Sequence, residues 1–171
     1  MASLLRIAAL IDSLNERVGR ASYWLVLVAV FVSSGNAIAR YALGLSSNAF
    51  LEIQWYLFAA IFLLAAGYTH KHNGHVRVDV FYSRFSPRTQ AMVGILGGLF
   101  FLLPMALFIL WLSWPMVSAS FAINEGSPDP GGLLRWPIKL MIPLGFALLS
   151  LQGIAEIIKR AAVLFARPKA G

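Results

Sequence analysis

Residues 89–124 read TQAMVGILGGLFFLLPMALFILWLSWPMVSASFAIN, thirty-six consecutive positions without Asp, Glu, Lys, Arg or His. About 20 apolar residues in a helix cross the hydrocarbon core of a bilayer, so this run has the length of one long tilted helix or of two short ones. Working outward, residues 22–39, 53–70 and 140–155 are further stretches free of acidic or basic charge, each close to one crossing. The composition agrees: 59% of the 171 residues are hydrophobic and 12% charged, where a soluble domain carries roughly 25% charged residues. Mean hydropathy is +0.74, which excludes a water-soluble globule. With no cysteine, disulfides, thiolate nucleophiles and Cys-ligated metals are excluded as well.

The net charge of +7 does not mark a nucleic-acid binder, because the basic residues interrupt apolar runs instead of covering a polar face. Eleven of the fourteen lie before the first run, between the second and third, or after the fourth. Arg40, Arg135 and Lys139 are the remainder. By the positive-inside rule both termini and the middle loop are cytoplasmic, which requires an even number of crossings and makes residues 89–124 one span. The expected fold is an all-α membrane protein, one domain over residues 1–171, with spans near 22–42, 50–69, 90–115 and 137–158. Pro115 is expected to kink or end the third helix, leaving an extracytoplasmic extension through Phe121. Tyr23, Trp24, Tyr41 and Trp136 suit the interfaces.

Before the first span, Leu4, Ile7, Ala8, Ile11, Leu14 and Val18 recur at helical spacing among Arg6, Asp12, Asn15, Glu16 and Arg17. That pattern predicts a separate amphipathic helix over 1–20 lying on the cytoplasmic surface. A competing reading takes residues 23–32 as the apolar core of a signal peptide and Ala37-Ile38-Ala39 as its cleavage site. Cleavage would leave three spans and put the mature termini on opposite faces, so retention is expected.

Chemistry-bearing residues are sparse. His70, His72 and His75 lie around Lys71, Asn73 and Gly74, a solvated turn without supporting carboxylates, so no metal site is expected. No acid, base or histidine occupies the middle of a span, and no nucleophile and base converge, so neither an enzyme nor a cofactor is expected. Gly94 and Gly98 form a GxxxG, and Ala29, Ser33 and Ala37 a small-residue stripe, both suited to close helix packing. Glu52, Gln54 and Trp55 open the second span, and Asn124, Glu125 and Ser127 lie in a turn-rich outer loop. These six are the candidate partner-interface residues. Arg17, Arg20, Arg77, Arg84 and Arg88 are candidate anchors at the cytoplasmic surface, near anionic lipid headgroups.

Four spans with cytoplasmic ends, the segments Glu52-Ile53-Gln54-Trp55-Tyr56-Leu57-Phe58 and His75-Val76-Arg77-Val78-Asp79-Val80, and Asn124-Glu125-Gly126-Ser127 followed by Trp136-Pro137-Ile138-Lys139 resemble the small, DctQ-like membrane subunit of tripartite ATP-independent periplasmic (TRAP) transporters. The resemblance implies a multi-pass protein of the bacterial inner membrane that pairs with a large multi-span subunit. A periplasmic substrate-binding protein would deliver the substrate. The large subunit would carry the ion and substrate sites for uptake of an organic anion, and the small one would enlarge its scaffold. Two other readings share the size and span count: a haem-binding anchor of a respiratory enzyme, for which His70 is the nearest ligand, and an autonomous homo-oligomeric transporter.

Overall fold

The computed structural model describes residues 1–45, 47–74 and 82–165. Among these the regular elements are helical: α1 (Ala2–Ala42), α2 (Asn48–Leu64), α3 (Ala66–Lys71), α4 (Pro87–Gly97), a π-helical turn (Gly98–Leu102), α5 (Leu103–Ala122) and α6 (Trp136–Phe165). Taken together, α2 with α3 and α4 with α5 make two continuous rods. With α1 and α6 they give four helices long and apolar enough to cross a membrane, Ala2–Ala42, Asn48–Lys71, Pro87–Ala122 and Trp136–Phe165. Residues 89–124 therefore lie in one rod and not two.

Local chemistry explains the helix ends. Ser86 caps α4, its Oγ accepting from Thr89 N–H at 3.3 Å, and Pro87 takes the first position, where a missing N–H costs nothing. Asn124 ends α5 with φ of 46°, and the following Glu125 N–H reaches back to Ser120 O at 3.0 Å, satisfying a terminal carbonyl. Asn73, with φ of 53°, does the same after α3, where Gly74 N–H bonds Thr69 O at 2.9 Å. The π turn has its cause in Pro104. Without an N–H there the ladder cannot continue in α register, and Leu103 N–H bonds Gly98 O, five residues back.

Two expectations are corrected. The N-terminal segment is no separate helix, because α1 runs unbroken from Ala2 to Ala42, about 60 Å at 1.5 Å per residue. Nothing between Arg17 and Trp24 breaks a helix, and Gly19 is held in it by close packing under Tyr68. The buried stripe of this half is Ala8, Ile11, Asn15 and Gly19, while Leu4, Ile7 and Leu14 stay exposed. Nor does Pro115 end the third rod, which continues to Ala122.

Helix α6 is the centre of the bundle and touches all the others. Its small residues allow this: Gly145 lies against the backbone of Leu63 in α2, and Gly153 against Leu102 of the π turn. Gly94 and Gly98, the GxxxG of α4, face Arg160 and Ile157 of the same helix.

A methyl group at Gly145 would sit 2.6 Å from Leu63 O and must push two backbones apart, whereas one at Gly35 meets nothing. Gly145→Ala should therefore destabilise by about 1–3 kcal/mol through overpacking. Gly35→Ala should be neutral or stabilising by up to about 1 kcal/mol through helix propensity. Thermal unfolding of both variants in one detergent checks the ranking.

Candidate functional site

Polar side chains gather at the two ends of the bundle. The charge-free intervals set their separation. From Arg20 to Arg40, from Glu52 to Lys71 and from Lys139 to Lys159 the charged residues bounding the helices are 19 or 20 positions apart, which at 1.5 Å each is about 30 Å, the thickness of a hydrocarbon core.

At one end the outer loop is latched onto α2. Glu52 is 3% exposed although it carries a carboxylate. Its Oε2 accepts from Leu133 N–H at 2.6 Å, and its Oε1 accepts from the Ser127 hydroxyl and, at 3.4 Å, from Arg135 Nη2. Arg135 also donates to Ser127 Oγ at 3.2 Å and places its guanidinium 5.0 Å from the centre of the Trp55 ring. Tyr56 donates to Leu134 O at 2.9 Å, and Asn48 Nδ2 to Pro130 O at 3.0 Å. Glu125 accepts from Lys139, and this ion pair holds its carboxyl below the usual carboxylate range. Gly126 and Leu134 form an isolated antiparallel bridge that closes the loop.

At the other end, which we call the basic end, the polar face of α1 meets α6 and α3. Asp12 accepts from Lys159 through both oxygens at 3.0 Å and from Gln152 Nε2 at 2.7 Å, and Lys159 also pairs with Glu156 at 2.5 Å. Glu16 takes Arg20 at 2.9 Å and both Lys71 and His72 at 2.8 Å. Asn15, fully buried, donates to Ile11 O and Leu148 O, each at 3.4 Å. The carbonyl oxygens of Asn15 and Gln152 are buried without a hydrogen-bond partner, an uncompensated desolvation.

The structure brings together four of the six residues expected at a partner interface. Glu52, Trp55 and Ser127 share one cluster, and Glu125 lies beside it on Lys139. All of these contacts are within the chain. Gln54 donates back to Phe50 O at 2.8 Å, and Asn124 is the helix terminator. Of the anchor arginines, Arg17, Arg84 and Arg88 are exposed and Arg20 pairs with Glu16, while Arg77 and His75 lie outside the described residues. Among the described residues no group of His, Cys, Asp or Glu could hold a metal ion. Sequence reasoning passed over Arg135 as the partner of Glu52 and the cluster of Asp12, Gln152, Glu156 and Lys159. The signal for the second was present in Asp12, Asn15 and Glu16, three polar residues on one side of a helix.

Two outcomes follow from these clusters. Glu52→Ala should free the outer loop and raise proteolysis or amide exchange across 126–134, at a cost of about 1–3 kcal/mol for the donors it leaves unpaired. The Glu125 contribution is fully present above the ordinary carboxylate value of 4.5 and is lost as pH falls through the lower folded-state value, so acidification should loosen the same loop, and Glu125→Gln should abolish that dependence. At the basic end, a double-mutant cycle of Asp12→Ala and Lys159→Ala should give a coupling of about 0.5–3 kcal/mol, read from unfolding in detergent.

Comparison with known proteins places this architecture. The family model for tripartite ATP-independent periplasmic transporters, DctQ component, matches residues 31–163. The chain is 32% identical over 106 residues to the C4-dicarboxylate TRAP transporter small permease protein DctQ of Pseudomonas aeruginosa, covering 61% of this chain and 50% of that protein. The chain thus aligns with about half the length of this curated relative. No solved structure matches. Four membrane-length helices and a family match over most of the sequence lead to one assignment: the chain is an integral membrane transport component and belongs to the DctQ component family of tripartite ATP-independent periplasmic transporters.

Proposed function

We propose that this protein is a small permease subunit that braces a large multi-span transport subunit in the bacterial inner membrane. The partner would perform ion-coupled uptake of an organic anion delivered by a periplasmic binding protein. The observation that carries this reading is the empty middle of the bundle. The described acidic and basic residues sit in or beyond the two end clusters, so no intramembrane carboxylate or base is available to couple an ion to a substrate. The outer surface supports it too. Phe31, Phe58, Phe62 and Trp111 are each more than 65% exposed at membrane depth, an apolar face suited to lipid or to a neighbouring subunit. In this reading both termini are cytoplasmic, the exposed N-terminal face of α1 with Leu4, Ile7 and Leu14 lies at the inner surface, and the latched loop with Trp55 faces the periplasm.

The substrate class rests on the family and on the dicarboxylate in the relative's name. It is drawn from dicarboxylates, keto acids and other carboxylates.

A tagged pull-down from native membranes in mild detergent tests the proposal. The expected result is recovery of a large multi-span protein at one to one, without visible absorbance. A colourless homo-oligomer that transports by itself in liposomes, or a Soret band, would overturn it in favour of an autonomous carrier or a haem-binding anchor.

A further inference from the structure

Between α4, the π turn and the second half of α6 lies a cavity of about 480 Å³, within the range of small-molecule pockets. Its wall is apolar, formed by Gly97, Phe101, Met105 and Leu149 among others. Its rim at the basic end is polar, formed by His70, Tyr82, Glu156 and Arg160. From Arg160 to Leu149 the α6 wall rises about 16 Å, half the roughly 30 Å of hydrocarbon, so the cavity occupies one leaflet and stops near the midplane. Phe101 and Met105, 77% and 51% exposed, form its outer lip.

We infer that this cavity holds one acyl chain of a glycerophospholipid, with the lipid phosphate against Arg160. The charge argument comes from Arg160 itself. Its side chain is one-fifth exposed, and its contacts are long: 3.3 Å to the Tyr82 hydroxyl, 3.5 Å to Gln90 O and 3.9 Å to Glu156. Glu156 is meanwhile engaged by Lys159 at 2.5 Å, so the guanidinium is the rim's under-used charge and matches a phosphate. The shape argument is the depth. A helix from another subunit, some 10 Å wide, would call for a groove along the whole span, whereas a polar mouth over a one-leaflet apolar slot has the build of a lipid. The π turn contributes directly, since Gly98, Phe101 and Leu102 all line the slot.

Gly97 makes the test clean, because a Cβ there meets nothing within 4 Å, and a larger side chain would enter the cavity without displacing protein. Native mass spectrometry of the full complex, extracted from its own membranes and then exposed to vesicles of phosphatidylglycerol or phosphatidylcholine, should show a retained phospholipid on the wild type. Gly97→Phe, or the smaller Gly97→Leu, should lose it with helicity unchanged. Arg160→Gln should lower the preference for phosphatidylglycerol about fivefold, the factor one basic residue contributes at an anionic surface. A benzophenone amino acid in place of Phe101, which barely alters volume, should crosslink to lipid. Undiminished lipid on Gly97→Phe, or a crosslink from position 101 to polypeptide, would overturn the inference and give the slot to a partner helix. Partner recovery scored on the same samples separates loss of assembly from loss of lipid.

Discussion

A charge left in hydrocarbon without a partner is too costly to keep, and this constraint shapes the whole chain. Its acidic and basic residues are spaced along the first, second and fourth rods so that the charged ends stand about 30 Å apart. What lies between is free to be apolar. What lies at the ends is then brought together as pairs: Glu52 with Arg135 and Ser127 on one side, Asp12 with Lys159 and Gln152 on the other. Both clusters join elements distant in sequence, so they fix the register of helices that the apolar middle would let slide.

In the interval between them, proximity rests on the absence of side chains. Lipid tails are as apolar as leucine, so burial alone gives these helices little reason to meet, and close backbone contact supplies it. Helix α6 carries this role, with Gly145 on α2 and Gly153 on the π turn. The result is a bundle whose inside is thin and whose outside is broadly apolar, which is the opposite of a protein built around a channel of its own.

The four rods were legible because a charge-free window of membrane length is a property of the sequence itself, and Ser86-Pro87 and the GxxxG of α4 carry their meaning locally. The unbroken α1 was not. A change of amphipathic pattern at Arg20 signals a change of surroundings and not a break in the backbone, and the sequence contains no breaker there. The role of Glu52 was half legible. A carboxylate at a helix start invites a partner, but Arg135 and Leu133 lie more than eighty positions on, and local pattern cannot choose between them and another protein. Pro104 was visible too, yet only the fold shows that the helix answers it by widening.

The separation of the paired residues also has a temporal side. Asp12 and Lys159 are 147 residues apart, and at about 5–20 residues per second a ribosome needs roughly 7–30 s to get from one to the other. Throughout that interval the first helix is present while the helix it leans on does not exist. Glu52 waits in the same way for Arg135. The last segment to leave the translation machinery is therefore the one that neutralises what earlier segments brought to the bilayer, and a nascent chain cut short before it would leave those carboxylates as a mark of incompleteness open to membrane quality control.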